Sequence, residues 1–197
     1  MSQPFSDLPT VALQPQSTFG PRSRITPIVR NVSPATMVLT DFSTVTPVTT
    51  TPQTPIDVAL RKMKTVGVRL LFVVNDIDEI IGLITTTDIM GERPIKVTQQ
   101  TRLPRATLTV ASIMTPQSDI QVLDAARVES ATVGDIVATM YALGRQHALV
   151  ARNDPTCGTH QVIGMFSASH ISKLLGHDVM QHTVPAGSLA EIVEKIG

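Results

Sequence analysis

The sequence predicts an α/β chain of the α+β kind, made of two copies of a strand, helix, strand, strand, helix unit. Three observations carry this. Residues 70–74 and 147–151 are short apolar runs, each placed between a helix-period segment that ends in glycine and a second apolar run able to fold back as a hairpin. Residues 82–89 read GLITTTDI and residues 164–171 read GMFSASHI, the same order of glycine, two apolar residues, a hydroxyl residue, two spacers, a polar residue and isoleucine. The helix-ending glycines Gly67 and Gly144 lie 77 positions apart and the hairpin glycines Gly82 and Gly164 lie 82 apart, so five extra residues fall in the second hairpin loop, around 153–158. An insertion confined to a loop tip is what a structural repeat tolerates.

Residues 1 to about 40 are rich in Pro, Ser, Thr and Gln without apolar periodicity, and are expected to form a flexible or loosely draped arm. Order is expected from about Thr46. Thr54, Pro55 and Asp57 mark a helix start, with Thr54 as N-cap, Pro55 at the first helical position and Asp57 in the first turn. Ile56, Leu60 and Met63 then share one face, and Gly67 ends the helix. A buried strand at 70–74, a polar turn at 75–79 and a strand at 80–84 make a hairpin, after which Thr85 to Asp88 open another helix. In the second copy Thr132 and Asp135 repeat the helix opening, Val133, Val137 and Met140 the stripe, Gly144 the stop, and residues 147–151 and 162–166 the hairpin. The resulting boundaries are an arm at 1–40, a first motif at 41–95, a connector at 96–111, a second motif at 112–176 and a tail at 177–197. Leu189, Ile192, Val193 and Ile196 give that tail one apolar helical face, expected to pack on the module or on a twin subunit.

Composition removes several function classes. The net charge is zero and aromatics are 3% with no Trp, which argues against nucleic-acid binding through basic clusters or stacking platforms. The longest unbroken apolar run is residues 70–74, far short of the ~20 residues of a membrane span. The N-terminus lacks the layout of a secretory signal and the chain has one cysteine, Cys157, so a cytoplasmic location is expected. The five histidines show no HxxxH or Cys–His metal spacing, and no nucleophile or phosphate-loop motif occurs, so neither an enzyme nor a metal site is expected.

The repeated unit resembles the cystathionine-β-synthase (CBS) domain, here as a tandem pair or Bateman module. The residues that carry the likeness are 48–52 with the helix to Met63, residues 67–74, and residues 82–89. In the second copy they run from Ser112-Ile113-Met114-Thr115-Pro116 through Gly164 to His170. The likeness spans roughly residues 40–176, and the long segment between the copies is similar to that of small stand-alone bacterial CBS-domain proteins. It implies two motifs packed about a pseudo-twofold axis, leaving two clefts that bind adenine nucleotides or relatives: AMP, ADP, ATP, NAD or S-adenosylmethionine. It further implies a homodimer and a regulatory action on a partner protein, with no cofactor required.

Within that resemblance Asp88 is the expected ribose reader, since a carboxylate accepts from two vicinal hydroxyls, and Thr85 the expected sugar-phosphate neighbour at the helix start. The spacing equally describes a simple helix cap, Thr85 or Thr86 capping and Asp88 favouring the dipole. In the second copy Ser167 keeps the hydroxyl, but His170 replaces the carboxylate and cannot accept from both ribose hydroxyls. That change is expected to cost about 1.5–3 kcal/mol, or tenfold to a hundredfold in affinity. His170 is read either as a cation toward phosphate or as an exposed helix-start residue. Arg69 and His147, at the starts of the buried strands, are the expected phosphate partners, with a solvated strand edge as the alternative reading. The adenine is expected beside Thr50 in one copy and beside Ala126 and Arg127 in the other. Each cleft is expected to mix the copies, Asp88 with the Ala126 region and His170 with the Thr50 region.

Overall fold

The computed structural model describes residues 28–154 and 158–180, together with Pro15. Cys157, most of the N-terminal arm and the expected tail helix lie outside the described residues. In chain order the elements are β1 (Thr40–Asp41), β2 (Thr49–Thr50), α1 (Ile56–Val66), β3 (Leu70–Val74), β4 (Ile80–Thr85), α2 (Thr86–Met90), α3 (Arg93–Thr101) and α4 (Val110–Ile113). The second half follows with β5 (Thr115–Pro116), β6 (Val122–Asp124), α5 (Ala125–Ser130), α6 (Val133–Ala142), β7 (His147–Asn153), β8 (His160–Ser167) and α7 (Ala168–Leu175).

Two four-stranded sheets result, in the orders β2-β3-β4-β5 and β1-β8-β7-β6. In each, a short strand runs parallel to the central one and the hairpin partner runs antiparallel. Alternation along the central strands decides the layers. Leu71 and Val73 face a core formed with α1 and α2, and Ala148 and Val150 face its counterpart under α6 and α7. The opposite faces, with Leu70, Phe72 and Leu149, meet between the sheets, where Phe42 and Phe72 stack edge-on at 5.6 Å. With both faces covered, all five residues of β3 are buried, which is why that run reads as continuously apolar. Both hairpins carry a register shift at the same place, after Val73 and after Val150, and the second is lengthened beyond it.

The start of α1 differs from expectation. Pro55, not Thr54, is the N-cap and makes no side-chain cap, because the Thr54 hydroxyl is taken up by Thr50 and Thr51 at 3.0 Å each. The first helical amide is satisfied from elsewhere: Ile56 N donates to Leu108 O. Gly67 ends the helix as expected, in the left-handed conformation at φ 76°.

The lead-in segments are exchanged between the motifs. Residues 28–40, expected as part of a loose arm, are ordered onto the second motif: Val29, Ala35 and Val38 are buried in its core, and β1 pairs with β8. The connector does the same for the first motif. It is largely helical, sinks Leu108, Val110 and Ile113 into the core under α1, and ends in β5 paired with β4. The backbone contacts match across the pseudo-twofold: Val133 N donates to Ser33 O as Ile56 N donates to Leu108 O, and Ala35 N donates to Ala131 O as Val110 N donates to Thr54 O. Composition could not reveal this, because short Pro- and Thr-rich segments are ordered here by apolar residues that only a sheet from the other copy can cover.

Each exchanged strand passes over the hairpin glycine of its host sheet. A Cβ on Gly82 would lie 2.7 Å from Thr115 O, and one on Gly164 would lie 2.7 Å from Thr40 O. Both obstacles are backbone, so they cannot rotate away. Gly82→Ala and Gly164→Ala are each expected to destabilise the chain by about 1–3 kcal/mol in urea denaturation; a loss below about 0.5 kcal/mol would contradict the close approach.

Candidate cleft between the motifs

A cleft of about 480 Å³ opens between the two motifs, within the usual few hundred to a thousand Å³ of small-molecule sites. One wall is the β4–α2 junction with Thr85 and Asp88. The other is the start of β7, with Gln146 and His147, and the segment Ile120–Gln121 ahead of β6 forms its edge.

Thr85 and Asp88 are brought together by a capping box. Thr85 N and Oγ1 donate to Asp88 Oδ2 at 2.8 and 2.7 Å, and Asp88 N donates to Thr85 Oγ1 at 3.2 Å. The same box recurs at the start of α6, outside the cleft, where Thr132 N and Oγ1 reach Asp135 Oδ2 at 2.8 and 2.7 Å. There the bonds from the Thr132 backbone and hydroxyl hold the Asp135 carboxyl below its ordinary pKa. The second oxygen of Asp88 faces Arg93, whose Nη1 lies 3.1 Å from Oδ1. Both hydrogen bonds that Asp88 accepts fall on Oδ2, so a ligand hydroxyl has to approach Oδ1, which the Arg93 guanidinium already faces.

Arg93 had no sequence signal. It stands five residues beyond Asp88, past the turn at Gly91, and reaches the cleft only because α3 starts there. The same Nη1 also donates to Ile113 O at 2.8 Å and Thr115 Oγ1 at 3.1 Å. Asp119, Ile120 and Gln121 were likewise missed, since they belong to the loop that carries the second copy's lead-in toward β6.

His147 has its pKa lowered to about 4. Burial is the main cause and the Arg69 charge adds to it, while the Asp88 carboxylate acts weakly in the other direction. At neutral pH the ring is therefore uncharged, with one donor and one acceptor, so it can meet a ligand through a hydrogen bond and not through a charge. Arg69 is exposed and lies on a second, more open cleft of about 580 Å³ with Ser169, Lys173 and His177.

The other expected residues lie apart from the first cleft. Thr50 is buried in β2 and donates to Thr54 Oγ1, and lines neither of these clefts. Ser167 is buried at the N-cap of α7 without a side-chain cap bond; its hydroxyl meets that of Ser169 at 2.9 Å. His170 is exposed and lines neither cleft. The counterpart of Thr50 also changes. Thr50 pairs with Val73 and Leu123 with Val150, which places Leu123, not Ala126 or Arg127, at the equivalent position. The slip arises because α5, absent from the first copy, is inserted between strand and helix in the second. Asp88 thus meets the 120–121 and 144–147 regions across the cleft, rather than Ala126. Among the described residues no group of three or more His, Cys, Asp or Glu side chains could hold a metal, and no helix is long and apolar enough to cross a membrane.

Comparison with known proteins agrees with this architecture. The fold is that of an uncharacterized conserved protein from Pyrococcus horikoshii, at 21% identity and TM-score 0.52 over 74% of this chain and 93% of that one. It is also that of the CBS domain pair of protein MJ0100, solved with 5′-methylthioadenosine and S-adenosyl-L-methionine, at 20% identity and TM-score 0.50 over 74% and 97% of the two chains. No curated protein matches the chain. Residues 39–94 match the CBS domain model, and the chain has the fold of a CBS-domain pair.

The depressed pKa of His147 has a consequence for stability. The unfolded chain takes up this proton near 6.5 and the folded chain only near 4, so the unfolded state binds more protons in between. The neutral ring's contribution is complete above about pH 6.5 and falls away as pH drops toward 4, by on the order of 2–3 kcal/mol. His147→Gln is expected to flatten that part of the stability–pH curve, read as the difference in chemical-denaturation midpoint between variant and wild type. Identical slopes in the two proteins would refute the assignment.

Proposed function

We propose that this chain is a regulatory module that holds an adenosyl ligand, such as AMP, ADP, ATP or S-adenosylmethionine, in the first cleft. The observation that carries this is a nucleoside-sized cleft whose walls belong to different motifs, with Thr85 and Asp88 on one side and His147 on the other. A ligand that bridges those walls favours one angle between the motifs, and that angle is what a partner protein reads. A homodimer acting in the cytoplasm, without catalysis, completes the reading. The MJ0100 pair, solved with two adenosyl compounds, supports it through likeness of fold. In this reading Asp88 accepts from the ribose, Thr85 flanks it, and neutral His147 supplies a hydrogen bond rather than a charge. Arg69 belongs to the second cleft, where no carboxylate equivalent to Asp88 stands at the helix start.

One observation favours a second reading, a ligand-free scaffold: Oδ2 of Asp88 already serves the cap and Oδ1 already faces Arg93. Calorimetric titration of AMP, ADP, ATP, NAD and S-adenosylmethionine separates the two. Asp88→Asn is expected to weaken the best ligand tenfold to a hundredfold. Asp135→Asn, which disturbs the matching cap outside the cleft, should leave its affinity unchanged. Absence of binding by the wild-type chain to every compound, with a stable dimer by light scattering, would establish the scaffold instead.

A further inference from the structure

Arg93 is positioned to compete with the ligand. Its guanidinium lies on Asp88 Oδ1 and anchors through the same nitrogen to Ile113 O and Thr115 Oγ1, and Asp88, Arg93 and Thr115 all line the cleft. The side chain is nevertheless 47% exposed, against 13% for Asp88. The carboxylate is thus the less exposed partner, fixed by its two bonds from Thr85, and the arginine the one able to turn away. Two vicinal hydroxyls need two acceptor positions, and with Oδ2 filled by Thr85 both must come from Oδ1, the atom that the Arg93 guanidinium faces. Binding a diol through both hydroxyls therefore requires Arg93 to leave. A guanidinium that gives up a carboxylate regains most from another anion, to which it presents the same planar fork.

We propose that Arg93 sets the ligand selectivity of the first cleft: it masks Asp88, and it is displaced favourably only by a diol ligand that carries its own anionic group. This rests on the adenosyl-ligand reading and adds a criterion that reading lacks, preference for a nucleotide over its nucleoside. Arg145, the other arginine of the cleft, donates to Asp119 O at 3.2 Å and does not touch Asp88, so it adds positive charge without competing for the hydroxyls.

The test compares adenosine with AMP by calorimetry on the wild-type chain, Arg93→Gln, Arg93→Lys and Arg145→Gln, with a thermal melt of each variant. In wild type AMP is expected to bind at least about tenfold tighter than adenosine. Arg93→Gln should shift the two in opposite directions, adenosine tighter and AMP weaker, so that the preference falls at least about tenfold. Arg93→Lys, which keeps a cation, should retain the preference. Arg145→Gln should weaken AMP without tightening adenosine. Equal binding of adenosine and AMP by wild type overturns the proposal without any variant. So does an Arg93→Gln protein that melts like wild type but binds adenosine no more tightly. If wild type binds neither compound nor any other adenosyl ligand, the functional reading itself fails; if it binds them and Arg93→Gln leaves the preference intact, only the role of Arg93 does.

Discussion

The structure depends on the crossing of each lead-in strand over a glycine in the other motif's hairpin. Thr115 O sits where a side chain on Gly82 would be, and Thr40 O does the same at Gly164. That approach lets β5 complete the first sheet and β1 the second, and it draws Leu108, Val110 and Ile113 into one core and Ala35 and Val38 into the other. Neither copy has a complete core from its own residues. The pairing of motifs is therefore a condition of the fold, and the cleft between them follows from it.

The same economy governs the cleft. Asp88 is held rigidly because it closes the capping box of α2, and α2 is placed because β4 is clamped between β3 and β5. A carboxylate fixed in this way is well oriented for a ligand, but it has less hydrogen-bonding capacity left to offer one. Arg93 sharpens that conflict, since the residue paired with Asp88 also ties the start of α3 to Ile113 and Thr115. In the second copy the conflict is absent: with His170 in place of the carboxylate, α7 begins without a side-chain cap and the histidine turns to solvent. The departure between the two repeated phrases is a difference in how two helices begin.

Local order was legible because it is written in local signals. The glycine stops at Gly67 and Gly144, the Thr132–Asp135 helix opening and the apolar runs at 70–74 and 147–151 all act within a few residues of chain. The loop insertion near 153–158 was legible for another reason: two offsets measured on either side of it disagree by five. Where longer-range partners compete, local reading failed. Thr54 looked like a cap, yet its hydroxyl is engaged by Thr50 and Thr51, and the helix amide is satisfied by Leu108, more than fifty residues away. The counterpart of Thr50 was misplaced because an inserted helix shifts the alignment, while the sheet register names Leu123 directly.

The sequence by itself determined the repeat, the fold class, and that a hydroxyl and a carboxylate open α2 while a hydroxyl and a histidine open α7. Those are properties of periodicity and residue type. The tertiary structure alone decided which segments complete which sheet, that Arg93 lies on Asp88, and that the His147 ring is uncharged beside Arg69. The physical reason is shared: hydrogen bonds and charges act over a few ångströms in space, and the chain brings those distances about through contacts between residues that its order keeps far apart.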